Sequence, residues 1–388
     1  MTEKNYADMF VSLPVSAKRF ARSPWFDAYY TPGIVFGIYS GRLYPFFGDG
    51  SDVIEAYWHL RRESSLFDVP EHPIEISGPE AQRFLDYVLS RDVSRLQIGR
   101  ATYAIACNYE GGILMDGVLM RTSDDCYWYT LADGEFVPWL EAQAQGFEVA
   151  LRDPGSWVLQ VQGPTSIRVL ADLLGGGMPA PFNYFSVSEC VIAGELFYVS
   201  RTGWTGEVGF ELYSRSDTLN GVKIFEHILN VGAAHGLRFQ TLESMGIRRI
   251  EAGIRDNGTD LDNTLTPFAA GLGQFVDFGK HEFIGRRALE LADKGNRFFG
   301  ITAGYETPIG KYSVSHNGVI VGRLTTAAIS PYLQKFIGYV VFQYPEDWVN
   351  SKVQLVSAND VTYDARVVEL PFYDVEKRIP RGLEKPIV

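Results

Sequence analysis

The stretch Ser200–Leu212 has the sequence Ser-Arg-Thr-Gly-Trp-Thr-Gly-Glu-Val-Gly-Phe-Glu-Leu, with a glycine at every third position from Gly203 to Gly209. Glycines at this spacing allow the backbone to take positive φ angles or to approach a ligand closely. At the end of the stretch apolar and polar residues alternate, which predicts a strand with Glu211 on the face opposite Phe210. A carboxylate that follows such a turn can accept paired N–H bonds from a planar heterocycle, although a hairpin with a solvated glutamate would show the same pattern.

The composition is that of a globular protein, and 388 residues are enough for two or three domains. No apolar run is long enough to cross a membrane, and the N-terminus lacks the pattern of a signal peptide, so we expect a cytoplasmic location and no membrane partner. Three widely separated cysteines fit reduced thiols. The net charge of −12 argues against binding of a nucleic-acid backbone.

A pattern of alternating strand, Gly-Pro turn and amphipathic helix occurs twice, at Ile74–Leu89 and at Val158–Leu174. Between the two copies, Tyr103–Cys107, Gly112–Met120 and Cys126–Leu131 have the alternation of strands in a meander. Two such units suggest an α+β sheet domain with an internal pseudo-repeat.

Helices are predicted in three further places. Ser51 is the expected cap of a helix that ends near Arg62. Helices are also expected over Val222–Leu229 and Leu242–Ile254. The segment Asp256–Pro267 is rich in Asn, Asp, Thr and Gly, which predicts a loop that crosses the molecule or lines a site.

Catalytic motifs of nucleotide-binding proteins, zinc proteases and serine hydrolases are absent, and the six histidines are scattered. We therefore predict no metal site. The remaining acidic candidate is Asp116, which lies within a predicted strand among apolar neighbours. A lone carboxylate is disfavoured there unless something pairs with it, so a functional role and a solvent-facing bulge are both open.

Several segments together resemble, in order and spacing, the glycine cleavage T-protein family of folate-dependent aminomethyltransferases. They are Asn108–Leu119, Ser200–Leu212, Arg249–Gly253 and Phe283–Leu289. The resemblance covers nearly the whole chain. It implies an α+β fold of three domains in a cloverleaf ring, with a small C-terminal β-barrel and tetrahydrofolate in the central channel.

The domain limits that follow from this resemblance are not contiguous. The first domain would comprise residues 1–50 with parts of 145–285, and the second would be an α+β domain with an antiparallel sheet over 51–145. The third would cover 286–388. A helix is expected at Phe283–Ala292, and from Phe298 onward short strands alternate with Gly, Asn and Pro turns, as is typical of a small all-β module.

The resemblance also implies a set of site residues. Asp116 matches the acid that the family holds near the reactive folate nitrogens, and Tyr103 matches a tyrosine of the same site; these two are the candidate catalytic residues. Glu211 matches the carboxylate that pairs with the pterin ring. Trp204 takes the place of a folate-contacting tyrosine, and Arg249 matches an arginine of the helix behind the site. All five are candidates for binding tetrahydrofolate.

The chain also departs from the family's usual sequence. Met115 precedes Asp116 where T-proteins usually have two acids, Asp68–His72 replaces Asp-Val-Ser-His-Met, and Met245 stands where they have an arginine. The positions of the folate pocket are kept while those on the substrate side differ. This looks more like the demethylase branch of the family, such as the dimethylsulfoniopropionate demethylases, which likewise place a tryptophan in the glycine loop.

Three functional hypotheses follow. The first is a tetrahydrofolate-dependent methyltransferase or demethylase with a small methylated sulfonium, ammonium or amine compound as substrate. The second is an aminomethyltransferase of the glycine cleavage system, which would need a lipoyl carrier protein as partner. The third is a folate-binding accessory protein without catalysis. The acidic tail of folate would need basic side chains, and the sequence leaves open which of Arg248, Arg255, Arg286 and Arg287 supply them.

Overall fold

The computed structural model describes residues 16–48 and 50–384, so the first fifteen residues of the predicted first domain lie outside the described residues. In these ranges no helix is both long and apolar enough to cross a membrane. The α-helices of the described chain are short and are Phe26–Tyr29, Val53–Arg62, Ala81–Val88, Val137–Gln143, Ser166–Leu173, Gly221–Gly232, Glu243–Glu251 and Arg286–Leu291. Short 3-10 helices occur at Ala17–Arg19, Ala233–His235 and Gly273–Phe275.

The first sheet has six strands and carries the glycine-rich stretch. Its strands are, in spatial order, Val187–Ile192, Glu195–Ser200, Gly209–Ser214, Val158–Gln162, Ser64–Val69 and Leu237–Phe239. All neighbours are antiparallel except the last pair, which is parallel. Phe210 packs in a core with residues of helices Ser166–Leu173 and Gly221–Gly232. Glu211 therefore faces the opposite side of the sheet, as the alternation predicts.

The second sheet has five antiparallel strands, and three of them form the predicted meander. In spatial order they are Arg100–Cys107, Ile113–Ser123, Cys126–Leu131, His72–Ser77 and Ala150–Arg152. Helix Ala81–Val88 packs its apolar side against this sheet, since Phe84 and Leu85 lie in one core with Leu119 and Tyr129.

The two β–Gly-Pro–α units are confirmed as local structures, and their turn glycines have nearly the same φ, +126° at Gly78 and +121° at Gly163. A side chain at Gly163 would come within 2.3 Å of the carbonyl oxygen of Glu63, so glycine is needed there. The expectation that both units belong to one repeated domain is wrong. One strand pairs in the five-stranded sheet and the other in the six-stranded sheet.

The C-terminal part is a closed barrel of six strands, as the short strands after Phe298 predict. Around the barrel the strands are Phe298–Ala303, Lys335–Phe342, Val319–Ser330, Ser313–His316, Lys352–Val356 and Thr362–Val368. Phe336, Val340 and Leu355 are fully buried in its core. Closure pairs every edge, so the barrel offers no free strand to another chain.

Strand Ser64–Val69 falls within the predicted second domain (51–145), yet its hydrogen bonds place it in the first sheet. That assignment is corrected because strand pairing, which local sequence does not encode, decides sheet membership. The other domain limits stay a prediction. Helix Val53–Arg62 is capped by Asp52 rather than Ser51: Asp52 Oδ1 accepts bonds from the backbone N–H groups of Ile54 and Glu55 at 2.8 and 3.0 Å.

The N-terminal part contains an antiparallel hairpin of Val35–Tyr39 with Arg42–Phe47. One further expectation is corrected. The helix expected from Phe283 begins only at Arg286, after Gly285 with φ +84°.

Candidate functional site

A central cavity of about 1770 Å³ is lined by both sheets, by helix Glu243–Glu251 and by the barrel. Tyr103 and Asp116 reach it from the five-stranded sheet, Glu211 from the six-stranded sheet and Thr326 from the barrel. Ligand pockets usually measure about 300–1,000 Å³, so this cavity has room for a large cofactor together with a small second molecule.

Asp116 is buried, with 8% of its surface exposed, and both of its carboxylate oxygens accept hydrogen bonds. The Tyr103 hydroxyl donates to Oδ2 at 2.7 Å, and the Asn257 amide donates to Oδ1 at 2.9 Å. Burial raises the pKa of Asp116 above its usual value, and the two donors partly offset that increase. The carboxylate is thus fixed in orientation and shielded from solvent.

The surroundings keep Asp116 and Tyr103 in place. Gly117 follows Asp116 on the strand, and a side chain there would come within 1.9 Å of the carbonyl oxygen of Thr130 on the neighbouring strand. The Tyr103 ring contacts Phe275 edge to face, with centroids 4.7 Å apart. Burial and the negative charge of Asp116 raise the pKa of Tyr103 well above its usual value, so its hydroxyl remains a donor.

Glu211 is also buried, with 6% of its surface exposed, and it is held by three donors. Gln160 donates to Oε1 at 2.7 Å, Tyr213 donates to Oε2 at 2.8 Å, and Thr202 makes a short bond to Oε2. Burial raises the pKa of Glu211, and the hydroxyl donors counteract this. Oε2 accepts two of these bonds and Oε1 only one, so Oε1 keeps a lone pair that can accept an N–H bond from a ligand.

A third acid, Glu71, lines the cavity and was not among the predicted site residues. Gln160 donates to its Oε1 at 3.3 Å, while its Oε2 is shielded from solvent and has no partner among the described residues. Burial, then the negative charge of Glu211, raises the pKa of Glu71 to about 8. The signal was present in the sequence, because Glu71 lies in Asp68–His72, where the chain departs from the family.

Trp204 and Arg249 lie next to one another. The Arg249 guanidinium carbon is 5.0 Å from the centroid of the Trp204 ring, a cation–π distance. Arg249 also pairs with Asp260 at 2.6 Å and donates to Thr326 of the barrel at 3.2 Å. Its charge is therefore neutralised within the protein, and it positions Trp204 and the loop that carries Asp260.

The structure separates the four arginines considered for the folate tail. Arg255 lines the cavity, whereas Arg248 and Arg286 form ion pairs with acids of their own helices and Arg287 does not line it. Sequence reasoning missed six further cations that line the cavity, namely Arg91, Arg100, Arg201, Lys377, Arg378 and Arg381. Of these only Arg378 and Arg381 are exposed, and they define what we call the mouth of the cavity.

Two family models match the chain. The GCVT N-terminal domain covers residues 20–280, and the glycine cleavage T-protein C-terminal barrel domain covers residues 296–374. The chain belongs to the glycine cleavage T-protein family. The family is one of folate-dependent transferases with tetrahydrofolate as cofactor, and the chain is an enzyme of it.

Relatives within the family extend over most of the chain. It is 31% identical over 373 residues to the aminomethyltransferase of Bacillus velezensis, which covers 92% of this chain and 99% of the relative. It is 33% identical over 297 residues to the aminomethyltransferase of Desulfitobacterium hafniense strain DCB-2, covering 74% of this chain and 80% of the relative.

A solved member of the family has the same fold. The aminomethyltransferase T of the glycine cleavage system from Bartonella henselae superimposes with a TM-score of 0.81 at 25% identity, over 92% of this chain and 98% of that chain. This confirms the predicted α+β fold of the T-protein type with its C-terminal barrel. These relatives are named aminomethyltransferases, so membership of the demethylase branch stays a prediction.

The residues of the cavity fit a folate. A pterin ring presents a planar edge of N–H donors, and Glu211 offers fixed carboxylate oxygens to such an edge. Oε1 of Glu211 accepts a single bond within the protein, from Gln160, and so keeps an acceptor position for such an edge.

Proposed function

We propose that the protein is a tetrahydrofolate-dependent methyltransferase that moves a methyl group from a small methylated sulfonium, ammonium or amine compound to N5 of tetrahydrofolate. The observation that carries this proposal is that residues typical of a folate site line one cavity together with residues that differ from the family. Asp116 and Glu211 are held by donors, as a folate site requires. Glu71, whose Oε2 has no partner among the described residues, and the apolar Met245 line the same cavity where the sequence departs from the family.

Binding of the folate would rest on Glu211 and Trp204. Glu211 would accept the pterin N–H groups, and the Trp204 ring, with Arg249 against it, would offer an aromatic contact. The exposed arginines of the mouth, Arg378 and Arg381, would suit the acidic tail of the folate. These assignments explain why the folate side of the cavity keeps the family's residues.

The protein's own contribution to the reaction centres on Asp116. When bound, tetrahydrofolate supplies a nucleophilic nitrogen. Asp116 stabilises the positive charge that methylation creates and takes the proton that is released, for which a pKa above the usual aspartate value is suited. Tyr103 and Asn257 keep its carboxylate from rotating. Alignment of two reactants in one cavity can lower a barrier by roughly 7–11 kcal/mol.

In this reaction the bond between the methyl carbon and sulfur or nitrogen of the donor breaks as the new carbon–nitrogen bond forms. The electron pair stays with the leaving sulfur or nitrogen, so a sulfonium, an ammonium or a protonated amine donor leaves as a neutral molecule. One proton is released, and no oxidant or reductant is required. We expect the reaction in the cytoplasm, where the free thiols Cys107, Cys126 and Cys190 would stay reduced.

The second candidate is an aminomethyltransferase acting with a lipoyl carrier protein, which the names of the relatives favour. Against it stand Met245, buried in the cavity wall where the family has an arginine, and the altered segment that contains Glu71.

The product distinguishes the two candidates. Purified protein and tetrahydrofolate are incubated with a panel of methylated sulfonium, ammonium and amine compounds, and in parallel with an aminomethyl-loaded lipoyl carrier protein. Folate products are identified by mass spectrometry. We expect 5-methyltetrahydrofolate from at least one member of the panel and no 5,10-methylenetetrahydrofolate from the carrier. Formation of the methylene product from the carrier, with no methyl product from the panel, would establish the second candidate instead.

A further inference from the structure

Glu71 lies beside Asp116 across the five-stranded sheet. His72 pairs with Leu131, and Leu131 pairs with Gly117 on the next strand. Extending this register by one residue places Glu71 and Asp116 on either side of Ala132, two strand spacings or roughly 10 Å apart. All three residues of this row line the cavity, and the middle one is small. The extended register thus puts the two acids in one row of the sheet, with Ala132 between them.

In the described part of the chain no Lys, Arg or His side chain forms an ion pair with the carboxyl group of Glu71. The guanidinium of Arg42 is close, but it donates to the backbone oxygen of Glu71 at 2.8 Å and lies over the Trp157 ring at 4.1 Å. Burial raises the pKa of Glu71 to about 8, so near neutral pH the group holds its proton in the free protein, and a cationic ligand beside it would favour the ionised form.

Aromatic side chains line the same cavity as Glu71. Tyr39, Tyr44 and Phe46 of the N-terminal hairpin line the cavity together with Glu71. Burial and the negative charges of Asp256, Glu71 and Asp116 raise the pKa of Tyr39 well above its usual value, which is consistent with its hydroxyl lying near all three acids. An acid among aromatic faces is the arrangement that binds sulfonium and quaternary ammonium groups in proteins, whereas a neutral ether or thioether gains nothing from the charge.

We propose that Glu71 is a specificity-determining residue whose carboxylate binds the cationic head group of the methyl donor. This inference rests on the proposed function and narrows its substrate class to sulfonium and ammonium cations. Gln160 donates to both Glu71 and Glu211, so the donor site would adjoin the pterin site, with Glu71 binding the donor and Glu211 the folate. Separate binding measurements for the two ligands can therefore test it.

The test compares choline with its uncharged carbon isostere 3,3-dimethylbutanol, and trimethylsulfonium with dimethyl sulfide, by calorimetric titration of the full-length protein. We expect at least one cation to bind about tenfold or more tightly than its neutral counterpart. In Glu71→Gln this preference should fall to within about twofold. The control is Glu376→Gln, the same substitution at an exposed residue that lines the cavity, and it should leave the preference unchanged.

Tetrahydrofolate affinity is measured for the same three proteins and should agree within about twofold. Equal affinity of the wild-type protein for cations and isosteres would overturn the inference, as would a preference that survives in Glu71→Gln. A specific loss of tetrahydrofolate affinity in Glu71→Gln would assign Glu71 to the folate and overturn it as well. If the cation preference behaves as expected but no methylated folate forms, the proposed function fails and the cation site stands.

Discussion

Asp116 is the residue on which the proposed chemistry depends most. Replacing it with Asn keeps the shape and the contacts with Tyr103 while it removes the charge and the proton acceptor. We expect Asp116→Asn to reduce kcat by about 10²–10⁴ and to leave tetrahydrofolate affinity within a few-fold. Steady-state kinetics and an equilibrium folate titration measure the two quantities. A variant with full turnover would remove Asp116 from the mechanism.

Glu211, in contrast to Asp116, is proposed to bind the folate and to take no part in the reaction. Glu211→Gln removes the charge from an acceptor that is buried among Gln160, Thr202 and Tyr213. We expect tetrahydrofolate binding to weaken by roughly 1.5–3 kcal/mol, the size of a hydrogen bond to a charged group. The same folate titration tests this, with Asp116→Asn as the comparison that should not weaken binding. Unchanged affinity would refute the pterin pairing.

The raised pKa of Glu71 also predicts how the free energy of unfolding depends on pH. Its pKa is about 8 in the folded protein against 4.5 as the ordinary value. Below pH 4.5 Glu71 is protonated in both the folded and the unfolded protein. Between pH 4.5 and pH 8 Glu71 loses its proton in the unfolded chain but keeps it in the folded protein. The free energy of unfolding therefore decreases as pH rises through this range. In Glu71→Gln this decrease should be smaller by on the order of 3 kcal/mol. Urea unfolding of both proteins at pH 5 and pH 8 measures this difference. An equal decrease in the free energy of unfolding in the two proteins would contradict the prediction.

The strand positions of Asp116 and Glu211 were predictable, because each lies in a short stretch whose glycines and alternation restrict its setting, and their roles stay a prediction. Their partners were not predictable at the same level. Asn257 reaches Asp116 from 141 positions away along the chain, and Gln160 reaches Glu211 only because their strands pair. Glu71 lies in a segment whose sequence departs from the family. That its Oε2 has no hydrogen-bond partner among the described residues depends on tertiary packing and could not be predicted from the sequence.

Among the elements, the loop Asp256–Pro267 has the clearest structural role. It carries Asn257 to Asp116, and its Asp260 pairs with Arg249 in a nearly solvent-free setting, with side-chain exposures of 7% for Arg249 and 0% for Asp260. We expect Asp260→Asn to lower the free energy of unfolding by about 3–5 kcal/mol, because it leaves the Arg249 charge buried without its acid. Urea denaturation measures this change.

The same loop supplies the matched control. Asp262 pairs with Arg323 at 3.4 Å, but both side chains are about half exposed, at 42% and 53%. Asp262→Asn should therefore change stability by no more than about 1 kcal/mol. Equal effects of the two substitutions would show that burial does not set the strength of the Arg249 pair.

Element types were more predictable than element pairing. The meander strands, the two β–Gly-Pro–α units and the barrel strands follow from alternation and turn residues over a few positions. Pairing joins strands that are far apart in the chain. Ser64–Val69 lies between Val158–Gln162 and Leu237–Phe239, and no local pattern indicates those neighbours. Long-range strand pairing likewise determines that the two β–Gly-Pro–α units lie in different sheets.

At the scale of the whole molecule, the charge distribution matches the two ligands of the proposed reaction. The chain carries 35 basic and 47 acidic residues, so its net charge of −12 repels anions in general. Within the cavity, however, the acids Glu71, Asp116 and Glu211 line the wall, and exposed arginines including Arg378 and Arg381 stand at the rim. A cationic donor is thus attracted to the wall while the rim accommodates an acidic folate tail.

The most direct test of methyl transfer follows the methyl group itself. Members of the donor panel are synthesised with a CD3 group, incubated with the protein and tetrahydrofolate, and the folate product is analysed by mass spectrometry, with Asp116→Asn as the control. We predict 5-methyltetrahydrofolate that retains all three deuterium atoms, and its loss in the control. A product with deuterium missing, or a methylene product formed only from an aminomethyl-loaded carrier protein, would contradict transfer of an intact methyl group.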